Sequence, residues 1–158
     1  MQMNPQATPE ERIRALDLQL PLLPKAGGNY LPFKRVGAIG FLSGVISTGP
    51  GGVIGGTAGA DRTVEEGYAA ARTCALTQLA VLAEQLGSLE RVAEVIGVNG
   101  YVNAVPGFPD SPAIINGASD LLVAVFGDAG RHVRAAVGVS ALPKNALVEL
   151  QMTVRIAD

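Results

Sequence analysis

The sequence predicts an α+β fold, a mixed sheet with two long helices on one face, and three observations carry that prediction. Two stretches, one from Val64 to a stop at Gly87 and one from Ser111 to a stop at Gly127, space their apolar residues at helical intervals. Val92 to Val102, Arg131 to Ser140 and Leu147 to Ile156 instead alternate with period two or are rich in β-branched residues. Their order along the chain is strand, strand, helix, strand, helix, strand, strand. Two helices in that order cover only one face of a sheet of four or five strands.

The elements follow from local chemistry. Thr8-Pro9-Glu10-Glu11 supplies a cap, a proline at the first helical position and acids in the first turn, so a short helix begins there with Ile13, Leu16 and Leu20 as its apolar edge. Pro21, Pro24 and Gly27-Gly28 end it. Residues 1–27 are thus a helical extension and linker within one domain spanning 1–158. Tyr30 to Val36 and Ile39 to Ile46 read as a hairpin turning at Gly37. Thr48-Gly49-Pro50-Gly51-Gly52 and Gly55-Gly56-Thr57-Ala58-Gly59 read as turns around Val53-Ile54. They are no phosphate loop, because Gly-Lys-Ser/Thr and GxGxxG are both missing.

Thr63-Val64-Glu65-Glu66 is a capping box, and Val64, Tyr68, Ala71, Ala75, Leu79, Leu82 and Leu86 share one face of the helix it opens. In the next strand Asn99, Tyr101 and Asn103 share a face. Ser111-Pro112 opens the second long helix, with Ile114, Ala118, Leu121, Leu122 and Val125 inward. The last two strands are read as joined by a Leu142-Pro143-Lys144-Asn145 turn.

Composition narrows the function classes. A chain of 158 residues with 48% hydrophobic and only 16% charged content can bury one core, and so few charges point to a surface partly covered by other subunits. With a formal charge of -2 and no basic run longer than Lys34-Arg35, nucleic acid is not an expected partner. The lone Cys74 excludes a disulfide within the chain and a cysteine-based zinc site, and its helical setting suits a buried thiol. The amino-terminal residues lack a leader pattern and no apolar run reaches the ~18 residues of a membrane span, so a cytoplasmic protein with no membrane partner is expected.

The candidate site starts from Arg134. Val133, Ala135, Val137 and Val139 alternate with Arg134, Ala136, Gly138 and Ser140, which sets one guanidinium among small residues, a place for an anion. In the following strand Val148, Leu150, Met152, Val154 and Ile156 oppose Glu149, Gln151, Thr153 and Arg155. The face left uncovered by the helices is expected to carry Arg134, Glu149, Gln151, Asn99 and Tyr101. So mixed a face fits sheets of several subunits packed together with polar clefts between them.

Several of these residues also resemble a known family, the reactive-intermediate deaminases (RidA, formerly YjgF; endoribonuclease L-PSP-like). The resemblance runs from Gly28-Asn29-Tyr30 to the end of the chain. It rests on Leu42-Ser43-Gly44, the Asn116 region, and above all Arg134 followed by Val137-Gly138-Val139, Leu142-Pro143-Lys144 and Glu149, fifteen residues after the arginine. Gly117-Ala118-Ser119-Asp120-Leu121-Leu122 and Gly130-Arg131-His132-Val133-Arg134 look like a subgroup with longer chains, called YjgF-like. The resemblance implies a chorismate-mutase-like fold assembled as a homotrimer with ligand clefts between subunits. It implies hydrolysis of enamines and imines such as 2-iminopropanoate and 2-iminobutanoate to 2-keto acids and ammonia, a hydrolase activity that needs no metal or organic cofactor. By the same resemblance Arg134 holds the substrate carboxylate, Glu149 orients or activates water, Tyr30 lines the cleft and Asn116 contributes to binding. Ala136 stands where family members commonly carry cysteine or serine, and Val45 where they carry glutamine.

Other readings compete. Arg134 and Glu149 could pair across adjacent strands as a structural salt bridge, Tyr30 could be packing, and His132, to which the family gives no role, reads as a loop residue. A non-catalytic module that binds small carboxylates such as 2-keto acids would use the same cleft. Ribonuclease activity is the weakest reading, given one histidine and 4% aromatics.

Overall fold

The structure is a computed structural model that describes residues 4–23 and 25–158. Pro24, expected to help end the first helix, lies outside the described residues, as do residues 1–3. Helix α1 (Pro9–Ala15) carries the expected cap: the Thr8 side chain accepts from the Glu11 amide and the Glu11 carboxylate accepts from the Thr8 amide. Two of its side chains tie it to the body. Glu10 accepts from the Ser88 hydroxyl and the Leu89 amide at 3.1 and 2.7 Å, and Arg12 donates to the Val125 carbonyl at 3.2 Å.

Two long helices form one layer. Helix α2 (Val64–Leu86) opens on the Thr63/Glu66 capping box and ends at Gly87, whose φ of 82° a residue with a Cβ would adopt only with strain. Helix α3 (Ser111–Phe126) packs against it. The crossing is close because Gly117 of α3 sits against the Tyr68 backbone of α2, where a Cβ would overlap the Tyr68 carbonyl. The stretch Ser111–Gly130 is long and apolar enough to cross a membrane, but half of it is buried in the fold, with Ile114, Ile115, Ala118 and Leu122 fully inaccessible.

The other layer is a sheet built from β1 (Phe33–Val36), β2 (Ile39–Leu42), β3 (Val45–Ile46), β6 (Val92–Asn103), β7 (Val133–Val139) and β8 (Val148–Ile156). Its order is β1-β2-β8-β6-β7, with β3 also paired to β8, and β6 with β7 is its one parallel pair. The short strands β4 (Thr48–Gly49) and β5 (Gly52–Val53) make a separate two-stranded turn from the first glycine cluster.

Three expectations need correction here. Helix α1 stops at Ala15 with Leu16 as its cap and Asp17 at positive φ, so Leu20 lies beyond it and Pro21 does not end it. The hairpin strand expected over Tyr30 to Val36 begins only at Phe33, and its partner breaks at Ser43-Gly44 into β2 and β3. Amide side chains take the carbonyls at the break, Gln151 donating to Leu42 at 3.0 Å and the buried Gln78 to Ser43 at 3.0 Å, and Gln78 also donates to Leu150 of β8 at 2.9 Å.

Nor are the two carboxy-terminal strands neighbours, because β6 lies between them. Burial explains the placement. Val148, Leu150, Met152 and Val154 are each 0% exposed, which requires a central strand, whereas Val133 is 74% exposed and suits an edge. The Leu-Pro-Lys-Asn link is a crossover rather than a hairpin turn. Lys144 and Asn145 both adopt positive φ, and Asn145 accepts from the buried Asn103 at the end of β6 at 3.2 Å.

Candidate functional site

Register decides which way each site residue faces. Along the β6/β7 pair Val98 lies beside Arg134 and Asn99 beside Ala135. Val98 is buried beneath the helices while Asn99 is exposed, so Arg134 belongs to the helix side of the sheet. This corrects the expectation that Arg134 shares the uncovered face with Glu149. The small residues around it have a different cause as well. Ala136 packs against the core, and a Cβ on Gly138 would lie 3.5 Å from the Ser111 hydroxyl, so they are small because α3 comes close.

At the sheet edge, α3 holds the guanidinium. Nη1 of Arg134 donates to the Ser119 hydroxyl at 3.0 Å and Nη2 to the Pro112 carbonyl at 3.2 Å, while the side chain stays exposed. Ser119 Oγ is also 2.9 Å from Nε2 of His132, and Nδ1 of His132 is 2.7 Å from the Gly130 carbonyl. A carbonyl can only accept, so Nδ1 carries the proton, Nε2 is bare in the neutral ring, and the Ser119 hydroxyl donates to it.

These groups line an open cleft of about 300 Å³ with Asn116, Asp120 and Arg131. Asn116 stands one turn before Ser119 on α3 and is exposed. Asp120 accepts from the Tyr68 hydroxyl at 2.7 Å, a bond that raises the pKa of that phenol above its ordinary value. Arg131 pairs with Asp128 at 3.3 Å on the open surface. Arg134 therefore stands in a basic recess whose one acid, Asp120, is already engaged by Tyr68.

Glu149 belongs to a second group on the far face. It pairs in register with Tyr101, as Gln151 does with Asn99, and Asn99 donates to Gln151 at 3.0 Å. The Glu149 carboxyl lies over Gly44 at the strand break, where a Cβ would come within 3.2 Å of its carboxyl carbon. Behind it, burial first and the Glu149 charge second push the Cys74 thiol far above its ordinary pKa. The loop carrying Tyr30 reaches this end of the sheet, since the Ser43 hydroxyl donates to the Leu31 carbonyl at 2.6 Å. Tyr30 itself is 51% exposed and its hydroxyl accepts from the Gly27 amide at 3.4 Å.

The fold thus brings Arg134 and Asn116 together and sets Glu149 and Tyr30 apart from them. Strand β6 and the thickness of the sheet separate the two groups, which rules out a structural salt bridge between Arg134 and Glu149 within one chain. The ion pairs among the described residues are Arg62 with Glu66, Arg131 with Asp128 and Arg155 with Glu94. Also among the described residues, no group of three or more His, Cys, Asp and Glu side chains could hold a metal. A second recess of about 360 Å³ opens beside β7 and is lined by Gly97, Asn99, Val133, Ala135, Gln151 and Thr153, with Arg134 at its margin. The sequence reading missed Ser119 and left His132 without a partner. The usable signal was spacing: Ser119 is three residues after Asn116, and His132 two before Arg134.

Comparison with known proteins places these observations. Residues 10–155 match a family model described as "YjgF/chorismate_mutase-like, putative endoribonuclease". Protein TCP17 of Trypanosoma cruzi is 40% identical over 146 residues, covering 91% of each chain. A crystal structure from Shewanella oneidensis, titled as a "putative endoribonuclease", is 37% identical with a TM-score of 0.91, over 94% of this chain and 99% of that one. The crystal structure of RidA from the Antarctic bacterium Psychrobacter sp. is 25% identical with a TM-score of 0.58, over 85% and 94% of the two chains.

Proposed function

This chain belongs to the YjgF/chorismate-mutase-like family, and from that premise we propose that it hydrolyses reactive 2-imino acids and their enamine tautomers to 2-keto acids and ammonia without a cofactor. The observation that carries the reading is Arg134. It is an exposed guanidinium, fixed by two hydrogen bonds to α3 in a cleft with Asn116, Ser119 and His132. A planar guanidinium held in this way suits a carboxylate and stays charged throughout the reaction.

The chemistry asks little more than positioning. Water adds to the electrophilic carbon of the protonated imine, and the resulting carbinolamine expels ammonia as its hydroxyl becomes the keto oxygen. In this reading Arg134 orients the substrate, Asn116 adds a polar contact, Tyr30 walls the cleft, and Glu149 takes the proton from the attacking water. Arg134 and Glu149 face opposite sides of one sheet, so the reading requires Glu149 and Tyr30 from a neighbouring copy. A closed ring of three copies supplies each cleft with one group of each kind.

Two measurements test this. Arg134→Ala should abolish the acceleration of ammonia release from freshly generated 2-iminopropanoate while the assembly persists; wild-type protein that gives no acceleration over buffer rejects the reading. Unfolding and refolding Arg134→Ala together with Glu149→Gln in equal amounts should restore about a quarter of the wild-type rate if each site draws one residue from each of two copies in a trimer. A mixture as inactive as its parents refutes the shared site. The separation of Arg134 from Glu149 within one chain favours a second reading, a module that binds 2-keto acids without turnover. Calorimetric binding of 2-oxobutanoate with no imine hydrolysis would establish it.

A further inference from the structure

Two stretches of the sequence are left unused by this mechanism, Gly117-Ala118-Ser119-Asp120 on α3 and Gly130-Arg131-His132 ahead of β7. The fold interlocks them. Ser119 of the first stands between His132 of the second and Arg134, accepting from the guanidinium at 3.0 Å and lying 2.9 Å from Nε2 of the imidazole. His132 is held in turn by the Gly130 carbonyl at 2.7 Å, just outside the strand. The connected series runs from a backbone carbonyl to an imidazole, a hydroxyl and a guanidinium, and each donor has one acceptor.

We propose that His132 and Ser119 are positioning residues that set the orientation of Arg134 toward a bound carboxylate. The Gly130 carbonyl selects the Nδ1–H tautomer, and bare Nε2 then draws the Ser119 hydroxyl proton toward itself. That leaves the serine lone pairs facing Nη1 of Arg134. Without Nε2 the hydroxyl is free to rotate its proton toward the guanidinium, where two donors would meet. Arginine loses considerable rotamer freedom when it is held, and an arm already held binds an anion without that cost. Pro112 fixes the other terminal nitrogen through its carbonyl, so the serine and the proline together define the plane of the guanidinium.

The inference rests on the reading of Arg134 as the carboxylate holder, but one arm of its test does not. His132 is the only histidine of the chain, so its ring nitrogens give unambiguous ¹⁵N resonances in histidine-labelled protein. The expected spectrum shows the Nδ1–H tautomer, with Nε2 shifting in Ser119→Ala and in Arg134→Ala. In calorimetry with 2-oxobutanoate, Ser119→Ala and His132→Ala should each bind roughly tenfold more weakly, the order expected for losing one hydrogen bond that organises a charged group. His132→Gln should recover most of that loss, because its amide oxygen can accept where Nε2 does.

Unchanged binding in Ser119→Ala and His132→Ala overturns the proposal, as does a His132→Gln protein no better than His132→Ala. Should the wild type neither bind 2-oxobutanoate nor accelerate imine hydrolysis, the reading of the site fails, and the ¹⁵N arm alone decides the relay: a Nε2 resonance that moves in Arg134→Ala sustains it, and one that stays put overturns it. If Ser119→Ala does not fold, the His132 variants and the Arg134→Ala spectrum carry the same decision.

Discussion

Replacing Gly117 by alanine tests how the helix layer sets the cleft. On helix propensity alone the change should stabilise the protein by about 1 kcal/mol, since glycine is costly inside a helix. The structure opposes this. The new Cβ would overlap the carbonyl oxygen of Tyr68 and sit 2.8 Å from its carbonyl carbon and 3.1 Å from its Cα, all backbone atoms of α2. No rotamer change relieves a clash with backbone, so the helices must separate locally by about an ångström or more, with a cost at the upper end of the ~1–3 kcal/mol of overpacking. The net expectation is a loss of about 2 kcal/mol, read as a lower urea midpoint by circular dichroism. Gly67→Ala should cost less, because its nearest obstacles are side-chain carbons of Ile114, at 2.6 Å, and a side chain can turn away. Helix α3 also carries Ser119 and Asn116, so on the proposed function the Gly117 variant should bind 2-oxobutanoate more weakly than the wild type. A Gly117→Ala protein as stable as the wild type, or more so, would refute the close crossing.

Two further predictions concern the interior. Cys74 should resist iodoacetamide in the native protein and react at once in denaturant, because burial and the Glu149 charge raise its thiol pKa. A thiol whose pKa is raised by folding contributes stability that is complete below its ordinary value of 9.0 and is lost as the pH rises above it. Stability should therefore decline above pH 9.0, and Cys74→Ala, measured by urea unfolding across that range, should decline less. Gln78→Met leaves the Ser43 and Leu150 carbonyls without their side-chain donor and should destabilise by about 2–4 kcal/mol; a loss under about 1 kcal/mol would show that water replaces the amide.

Much of this architecture was legible in the residues because its signals are local. The Thr8 cap, the Thr63/Glu66 capping box, the stop at Gly87 and the buried alternation of Val148 to Ile156 depend on neighbours a few residues apart. What escaped depends on the third dimension. A Leu-Pro-Lys-Asn link has the same turn chemistry whether it reverses beside its strand or steps over another one, so the position of β6 between β7 and β8 was hidden. Period two tells which residues share a face, but it does not tell which face meets the helices. In β7 the more apolar set, Val133 and Val137, suggested the inside, yet these are 74% and 46% exposed while the small set lies under α3. The candidate residues were found individually, and their grouping was not: Arg134 stands with Asn116, and Glu149 with the Tyr30 loop.

The break at Ser43-Gly44 carries a mechanical consequence. A strand interrupted beside a carboxylate should be soft there, but the Leu42 carbonyl at the near edge of the gap and the Ser43 carbonyl within it are gripped by Gln151 and Gln78, and Gln78 is anchored in the middle of a 23-residue helix. The compliance of the ledge beneath Glu149 is therefore set from inside the core by a fully buried amide. Substitutions at position 78 would change the rigidity of this ledge and the placement of the Glu149 carboxyl together, and neither could be tuned there without moving the other.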